Sequence, residues 1–433
     1  MKISNLKNKN IAIWGSGIEG KSILKVLQKK FPEKEIPILD DKNYTDSQKL
    51  IDDLKGIDIV IRSPGVSIYK PEIIYAKEHF GTQFITEKTI FFSELKDSKA
   101  ITIGITGTKG KTTTATFFAY ILEKLGYNVM LTGNMGIPTI ELIEEAKKKD
   151  FVVIELSSYQ NSDLLEFPKI AILLNLFPEH IQWHQTHEQY YKDKCNLLKS
   201  VETSIINGTD KRVALYTKSI KNKIEFNTQS TIHYNNSFFY DGEKKLLSSK
   251  NMKLLGEHNY QNLCSILTTL KHLNIDLSKI KQDDFDNFQP VEHRLEIIKK
   301  NNTIFVNDSI STTPETTIAC FNVFKDKNIY GILGGFDREQ DYSELAKYIS
   351  ENKNIKYISL LGQTGKRIAE ELEKLNIHYF NICKSLEECI DLLIDKSKNE
   401  KDIVITLSPG APSYDMFKNF EERGNKFKEY LKI

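Results

Sequence analysis

The chain is short of the features that would place it anywhere but among ordinary globular proteins. It has five cysteines, Cys195, Cys264, Cys320, Cys383 and Cys389, an odd number, and no two stand at the short spacing of a zinc site or redox motif. That excludes a disulfide framework and predicts reduced, mostly buried thiols. No apolar run approaches the length of a membrane span, and residues 1–10 are polar and lead straight into an apolar 11–14. No signal peptide and no membrane partner are therefore expected, and the expected location is cytoplasmic. Charge of one sign is lacking too: Lys+Arg 60 against Asp+Glu 58 leaves +2. A nucleic-acid partner calls for a concentrated basic face, so none is expected. The run Lys147, Lys148, Lys149 reads as a solvated helix face rather than a phosphate-binding patch. Low-complexity linkers and repeats at solenoid periods are missing as well.

What is present is a long, regular alternation. With 433 residues, 40% hydrophobic and 27% charged, the chain should fold as two to four domains. Short apolar runs alternate with helix-like stretches, the pattern of parallel α/β sheets. Three domains are expected: a Rossmann-like one over 1–98, a P-loop mononucleotide-binding one over 99–290 and a second Rossmann-like one over 291–433. The first has strands expected at 11–14, 36–39 and 57–61 and a helix over 21–30. The second has strands at 101–105, 151–156 and 170–175. It also has a helix that carries Phe118, Ile121, Leu122 and Leu125 on one face and ends at Gly126. The polar, turn-rich 203–250 reads as a small sheet elaboration. The third has strands at 303–306, 328–333, 356–361 and 402–407.

The strongest chemical signal is Thr106-Gly107-Thr108-Lys109-Gly110-Lys111-Thr112-Thr113, between a strand and a helix. Glycines let backbone N–H groups close around phosphates, the helix N-terminus favours negative charge, Lys111 reaches the terminal phosphates and Thr112 can hold Mg²⁺. The general P-loop pattern wants glycine at 105, where this chain has Ile105, and the competing reading is an ordinary strand–helix turn. Glu155 ends an apolar strand, on the edge of a parallel sheet that faces ligand; beside a P-loop its role would be Mg²⁺ binding. Of His180, His184 and His187, no cysteine supports a zinc site, and a polar helix start accounts for His184 and His187. His180, on the loop leaving a central strand, is kept as a site residue.

Gly15-Ser16-Gly17-Ile18-Glu19-Gly20 fits G-x-G-x-x-G, with Asp40 twenty residues past Gly20. It says that a diphosphate could sit there; a glycine turn closing a strand–helix pair is the plain alternative. In the third domain, His293-Arg294 is followed by three polar turns at strand ends: Asn307-Asp308-Ser309, Gly334-Gly335-Phe336-Asp337-Arg338, and the turn from Ser408 to Ser413.

In this order the pieces resemble the Mur ligase family, over the whole chain. The family loop T-G-T-[NK]-G-K-[ST]-[ST] matches 106–113 and accounts for Ile105. Residues 154–160, 408–424, Thr132 to Gly136 and Ser63-Pro64-Gly65 resemble the branch that joins glutamate to UDP-N-acetylmuramoyl-L-alanine. The resemblance implies an ATP-dependent amide ligase of peptidoglycan precursor synthesis, monomeric, whose partners are that nucleotide and glutamate. Gly15, Ser16, Gly17 and Asp40 would hold the UDP part and Asn134 the muramoyl part. Gly107, Thr108, Lys109, Gly110, Lys111, Thr112, Thr113, Asn262, Arg294 and Asp308 would bind ATP. Thr112, Glu155, His180 and a carbamylated Lys194 would hold Mg²⁺, and Thr312, Arg338, Ser413 and Phe420 the amino acid.

On that resemblance ATP phosphorylates the carboxylate, and the incoming amine attacks the acyl phosphate with His180 near enough to assist. The third domain would close over the second. Two departures stand out. Where D-glutamate members read N-D-S-K-A-T-N this chain reads Asn307-Asp308-Ser309-Ile310-Ser311-Thr312-Thr313, and the usual lysine of the G-G-x-x-K turn is Arg338. D-glutamate is expected, with L-glutamate the alternative. A nicotinamide-dependent dehydrogenase built on the first domain is the reading from another class; it leaves 106–113 and Glu155 without a task. A nucleotide sensor without catalysis is a third, and the intact Lys111, Glu155, His180 and Lys194 argue against it.

Overall fold

The computed structural model describes all residues of 1–433 except Asn134, Met135, His180 and Ile433. The chain divides into two compact units, 1–251 with 259–286, and 252–258 with 287–433.

The first unit holds two parallel sheets and a small antiparallel one. The first sheet has the order Ile38–Leu39, Ile11–Trp14, Ile59–Arg62, Gln83–Ile85. Its two central strands are buried along their whole length, as unbroken apolar runs must be when both faces are covered. The strand expected over 36–39 shrinks to 38–39 because Pro37 has no N–H to give; its carbonyl accepts from Ile13 N at 2.9 Å instead. The helix expected over 21–30 begins earlier, at Ile18–Lys30, with Gly17 as its N-cap. A Cβ on Gly20 would collide with the Gly15 carbonyl, so only glycine lets this helix lie against the strand turn.

The second sheet has six parallel strands: Lys223–Phe226, Thr203–Asn207, Ile170–Leu173, Ile101–Thr106, Phe151–Glu155, Val129–Thr132. This corrects the expectation for 203–250. Its first part extends the main sheet, and only 232–248 forms the separate three-stranded antiparallel piece. The polar composition hid Ile205 and Ile206, which are buried. The helix that carries Lys194 is His187–Cys195, followed by a single 3₁₀ turn. There Asn196 turns its amide onto the Asn161 and Leu164 carbonyls, at 2.6 and 3.3 Å.

The two lobes of the first unit are tied by buried polar groups. Arg62, at the end of its strand, has no exposed surface and donates to both carboxylate oxygens of Asp163, at 3.0 and 2.7 Å. It also donates to the Tyr159 and Val66 carbonyls, at 3.0 and 2.5 Å. A continuous apolar core joins Phe91 and Phe92 of the helix Glu87–Leu95 to Ile143, Ala146 and Leu164.

The second unit is a six-stranded sheet in the order Glu296–Lys300, Thr303–Asn307, Ile403–Leu407, Asn328–Leu333, Ile355–Leu360, Phe380–Ile382. All pairs are parallel except the first, an antiparallel edge strand that periodicity did not announce. Among the described residues no helix is long and apolar enough to cross a membrane.

Arg62→Met should leave Asp163 buried and unpaired, which costs about 3–5 kcal/mol. Urea unfolding of the variant should show this loss, and adding Asp163→Asn should recover part of it.

Candidate active site

Chain topology puts the glycine loop in the middle of the second sheet. Ile170–Leu173 and Phe151–Glu155 flank Ile101–Thr106 on either side. The turns after these three strands therefore meet at one edge, the edge where parallel sheets bind ligands. The loop is held rigidly. Thr108 N donates to the Asn175 carbonyl at 3.0 Å, and Lys109 N to Asn175 Oδ1 at 2.9 Å. Asn175 Nδ2 returns a bond to the Lys109 carbonyl at 3.0 Å. Thr108 Oγ1 meets Tyr190 OH at 3.0 Å, and Lys109 is ion-paired with Glu179. Gly110 starts the helix Lys111–Lys124 with φ +86°, and a Cβ there would strike the Asn262 amide. Asn262 thus lies against the loop.

Two amines converge on one carbonyl of this loop. Lys111 Nζ donates to the Gly107 and Thr108 carbonyls at 3.0 and 3.1 Å, and Lys194 Nζ donates to Gly107 O at 3.1 Å. Lys194 is 2% exposed. Burial first, and then the Lys111 charge, push its amine well below the usual lysine range. Glu155 is buried at the end of the neighbouring strand. Thr112 and Thr113 are buried in the first turn of the helix. Among the described residues no three His, Cys, Asp or Glu side chains group as a metal site. The expected set is of another kind, with a threonine, a lysine derivative and His180, which lies outside the described residues.

His184 is a correction. Read as part of a polar helix start, it is wholly buried, while His187 is exposed. Its Nδ1 lies 2.6 Å from Asp193 Oδ2 and its Nε2 3.0 Å from Ser158 Oγ. Asp193 also accepts from Tyr69 OH at 2.7 Å and from Gln189 Nε2 at 2.8 Å. Burial and this carboxylate drive the Tyr69 phenol well above its ordinary range, so it remains a proton donor. Sequence reading missed Tyr69, His184 and Asp193. The one signal in the sequence was a second histidine four residues past His180.

In the first lobe, Gly15, Asp40 and Ser63 follow three adjacent strands. Asp40 accepts from Ser16 N at 3.2 Å and from Ser16 Oγ; these bonds, the hydroxyl's first, hold its carboxyl below the usual range. Gly17 opens the helix as its N-cap. Asn134 lies outside the described residues.

In the second unit the turns after Thr303–Asn307, Ile403–Leu407 and Asn328–Leu333 are neighbours for the same topological reason. The buried Arg423 fastens the first two, donating to the Ser309, Ala411 and Pro412 carbonyls at 2.8, 3.1 and 3.3 Å. Gln340 Nε2 donates to Thr312 O at 3.0 Å, and Phe420 O accepts from Ser309 Oγ at 2.8 Å. Ser413 is buried, and its hydroxyl has no hydrogen-bond partner among the described residues. Arg338 is exposed, its guanidinium 5.7 Å from the centre of the Tyr414 ring. Asp308 is buried, which pushes its carboxyl up to about 6. It accepts from Ser408 Oγ at 2.8 Å, from Ser311 Oγ, and from Leu295 N at 3.1 Å. The last bond fixes a turn in which His293 and Leu295, on either side of Arg294, both take positive φ, a strained arrangement typical of ligand loops.

Comparison with known proteins agrees with this geometry. The Mur ligase middle domain matches residues 105–270, and the Mur ligase glutamate ligase domain matches 293–410. The UDP-N-acetylmuramoyl-L-alanine–L-glutamate ligase of Xanthomonas oryzae pv. oryzae is 30% identical, over 99% of this chain and 96% of its own. The UDP-N-acetylmuramoylalanine–D-glutamate ligase of Clostridium tetani is 34% identical, over 98% and 97%. The solved MurF ligase of Thermotoga maritima in complex with ADP superimposes with a TM-score of 0.61, covering 100% of this chain and 97% of that one. At 14% identity that likeness speaks for the fold. The loop, its flanking strand ends and the matches over both the central and C-terminal regions lead to one assignment: the chain belongs to the Mur ligase family of ATP-dependent ligases.

Proposed function

We propose that the protein is a cytoplasmic enzyme of peptidoglycan precursor synthesis that joins glutamate to UDP-N-acetylmuramoyl-L-alanine, with ADP and phosphate released. The observation that carries this reading is the pairing of Lys111 and Lys194 on the Gly107 carbonyl. One amine is placed to meet phosphate; the other is buried and depressed, hence nucleophilic enough to take up CO₂ as a carbamate. The residues fit a Mg²⁺ ion on that basis, since a carbamate offers two hard oxygens and Glu155 and Thr112 offer more. His180 and carbamylated Lys194 would complete the set. Bound Mg²⁺ would supply charge neutralisation on the phosphate oxygens.

We read residues 1–98 as the nucleotide-substrate domain, 99–290 as the ATP domain and 291–433 as the amino-acid domain. Loop N–H groups and Lys111 hold the ATP phosphates, and the charge on Lys111 stabilises the anion that develops as the γ-phosphoryl group passes to the substrate carboxylate. Gly15, Ser16, Gly17 and Asp40 hold the UDP part and Asn134 the muramoyl part. Thr312, Arg338, Ser413 and Phe420 bind the glutamate, whose amine attacks the acyl phosphate and expels inorganic phosphate. D-glutamate is the amino acid assigned, in keeping with the Clostridium relative's name. L-glutamate is the second reading, favoured by the apolar Ile310 and by the name of the Xanthomonas relative.

ADP release measured with UDP-N-acetylmuramoyl-L-alanine and each glutamate enantiomer should show turnover with one form and little with the other. Turnover with lysine or diaminopimelate and neither glutamate would overturn the assignment. Lys194→Ala should lower kcat about a hundredfold or more. A small added carboxylic acid should restore part of it by replacing the carbamate; full activity of the variant in bicarbonate-free buffer would reject that role. Arg338→Ala should raise the glutamate KM about ten- to a hundredfold with the ATP KM little changed, the loss expected for a charge-assisted bond to carboxylate.

A further inference from the structure

The network around His184 has no part in the mechanism above, yet it joins the segment after Glu155 to the helix that carries Lys194. Ser158 lies three residues past Glu155, on the short helix Ser158–Asn161 that leaves the Glu155 strand. Asp193 directly precedes Lys194 on the helix His187–Cys195. His184 itself closes the helix Ile181–His184, four residues past His180. One imidazole thus bridges the Glu155 and Lys194 segments, at 3.0 Å and 2.6 Å, and stands on the segment that leads out of His180.

The chemistry of the two bonds is complementary. A carboxylate only accepts, so Nδ1–H donates to Asp193 and, in the neutral ring, Nε2 accepts from the Ser158 hydroxyl. Both bonds are buried, and the ring is stacked 5.4 Å from Tyr159 and 5.2 Å edge-on from Tyr190. Tyr190 in turn meets Thr108 of the glycine loop. The far side of Asp193 is held by Tyr69 of the first lobe, whose neighbour Ser67 donates to the Trp183 carbonyl at 2.9 Å.

We infer that His184 is a positioning residue for the metal-binding groups: it sets the separation of Glu155 and Lys194 by holding their segments through two directed hydrogen bonds. The inference rests on the reading of those two residues as carriers of Mg²⁺. It assigns His184 no contact with substrate or metal. Partners that fix the orientation of metal ligands typically change affinity ten- to a hundredfold when removed.

The test uses the full chain with a non-hydrolysable ATP analogue, UDP-N-acetylmuramoyl-L-alanine and bicarbonate, titrated with Mn²⁺ and followed by the electron paramagnetic resonance of free Mn²⁺. Wild type should take up one ion more than the nucleotide carries. His184→Phe keeps ring packing and loses both bonds; it should bind that extra ion about ten- to a hundredfold more weakly. His184→Asn, whose amide overlays Nδ1 and keeps the Asp193 bond, should recover most of the affinity. Ser158→Ala removes only the Nε2 bond and should cost a few-fold, which decides the matter should the phenylalanine variant fold poorly. Extra-ion affinity equal to wild type in both Ser158→Ala and the folded fraction of His184→Phe would overturn the inference. A wild type that binds no ion beyond the nucleotide's would instead bring down the functional reading, a result visible before any variant is made.

Discussion

Lys111 and Lys194 reach the same Gly107 carbonyl, at 3.0 and 3.1 Å, from different helices. Two ammonium groups that close repel each other, and one of them is cut off from water. Burial first, and then the Lys111 charge, push the Lys194 amine well below the usual lysine range, which disfavours its charged form beside the Lys111 cation. The rest of the central lobe can be understood as what keeps that pair in register. Asn175 pins the loop backbone from the next strand, Asn262 fills the space over Gly110, and Tyr190 closes the loop from the Lys194 helix.

The same construction appears three times in the chain. In each parallel sheet, polar turns leave neighbouring strands at their carboxyl ends, so residues far apart in sequence arrive together. Asp40 reaches Ser16 across one such edge, Asn175 reaches Thr108 and Lys109 across the second, and Arg423 gathers the turns of the third. At the third edge the fastening group is buried, Arg423 being 1% exposed, whereas the Ser16–Asp40 pair of the first is open to water.

Much of this was legible in the residues. The largely apolar runs at 11–14, 101–105 and 328–333 read as buried strands. Glycines followed by Lys111-Thr112-Thr113 named a phosphate loop even with Ile105 in the way. What was hidden had physical reasons. Pro37 cut a strand short, and the polar composition of 203–226 concealed two strands of the main sheet. The antiparallel edge Glu296–Lys300 alternates too weakly to be seen. His184 looked like a solvated polar residue because its partners, Ser158 and Asp193, stand 26 and 9 positions away. Arg62 was overlooked for a similar reason: an arginine ending an apolar strand gives no sign that its partner lies 101 residues on.

That arginine bears on how such a protein can be taken apart. Its guanidinium belongs to the first sheet, while the carboxylate it neutralises and the Tyr159 carbonyl it caps belong to the second lobe. A cut between the lobes would strand a buried charge on each side and bare the Phe91 and Phe92 faces to water. The lobe that resembles a free-standing dinucleotide module is therefore tied to its neighbour: a swap of that lobe that leaves Asp163 without an arginine would bury an unpaired charge.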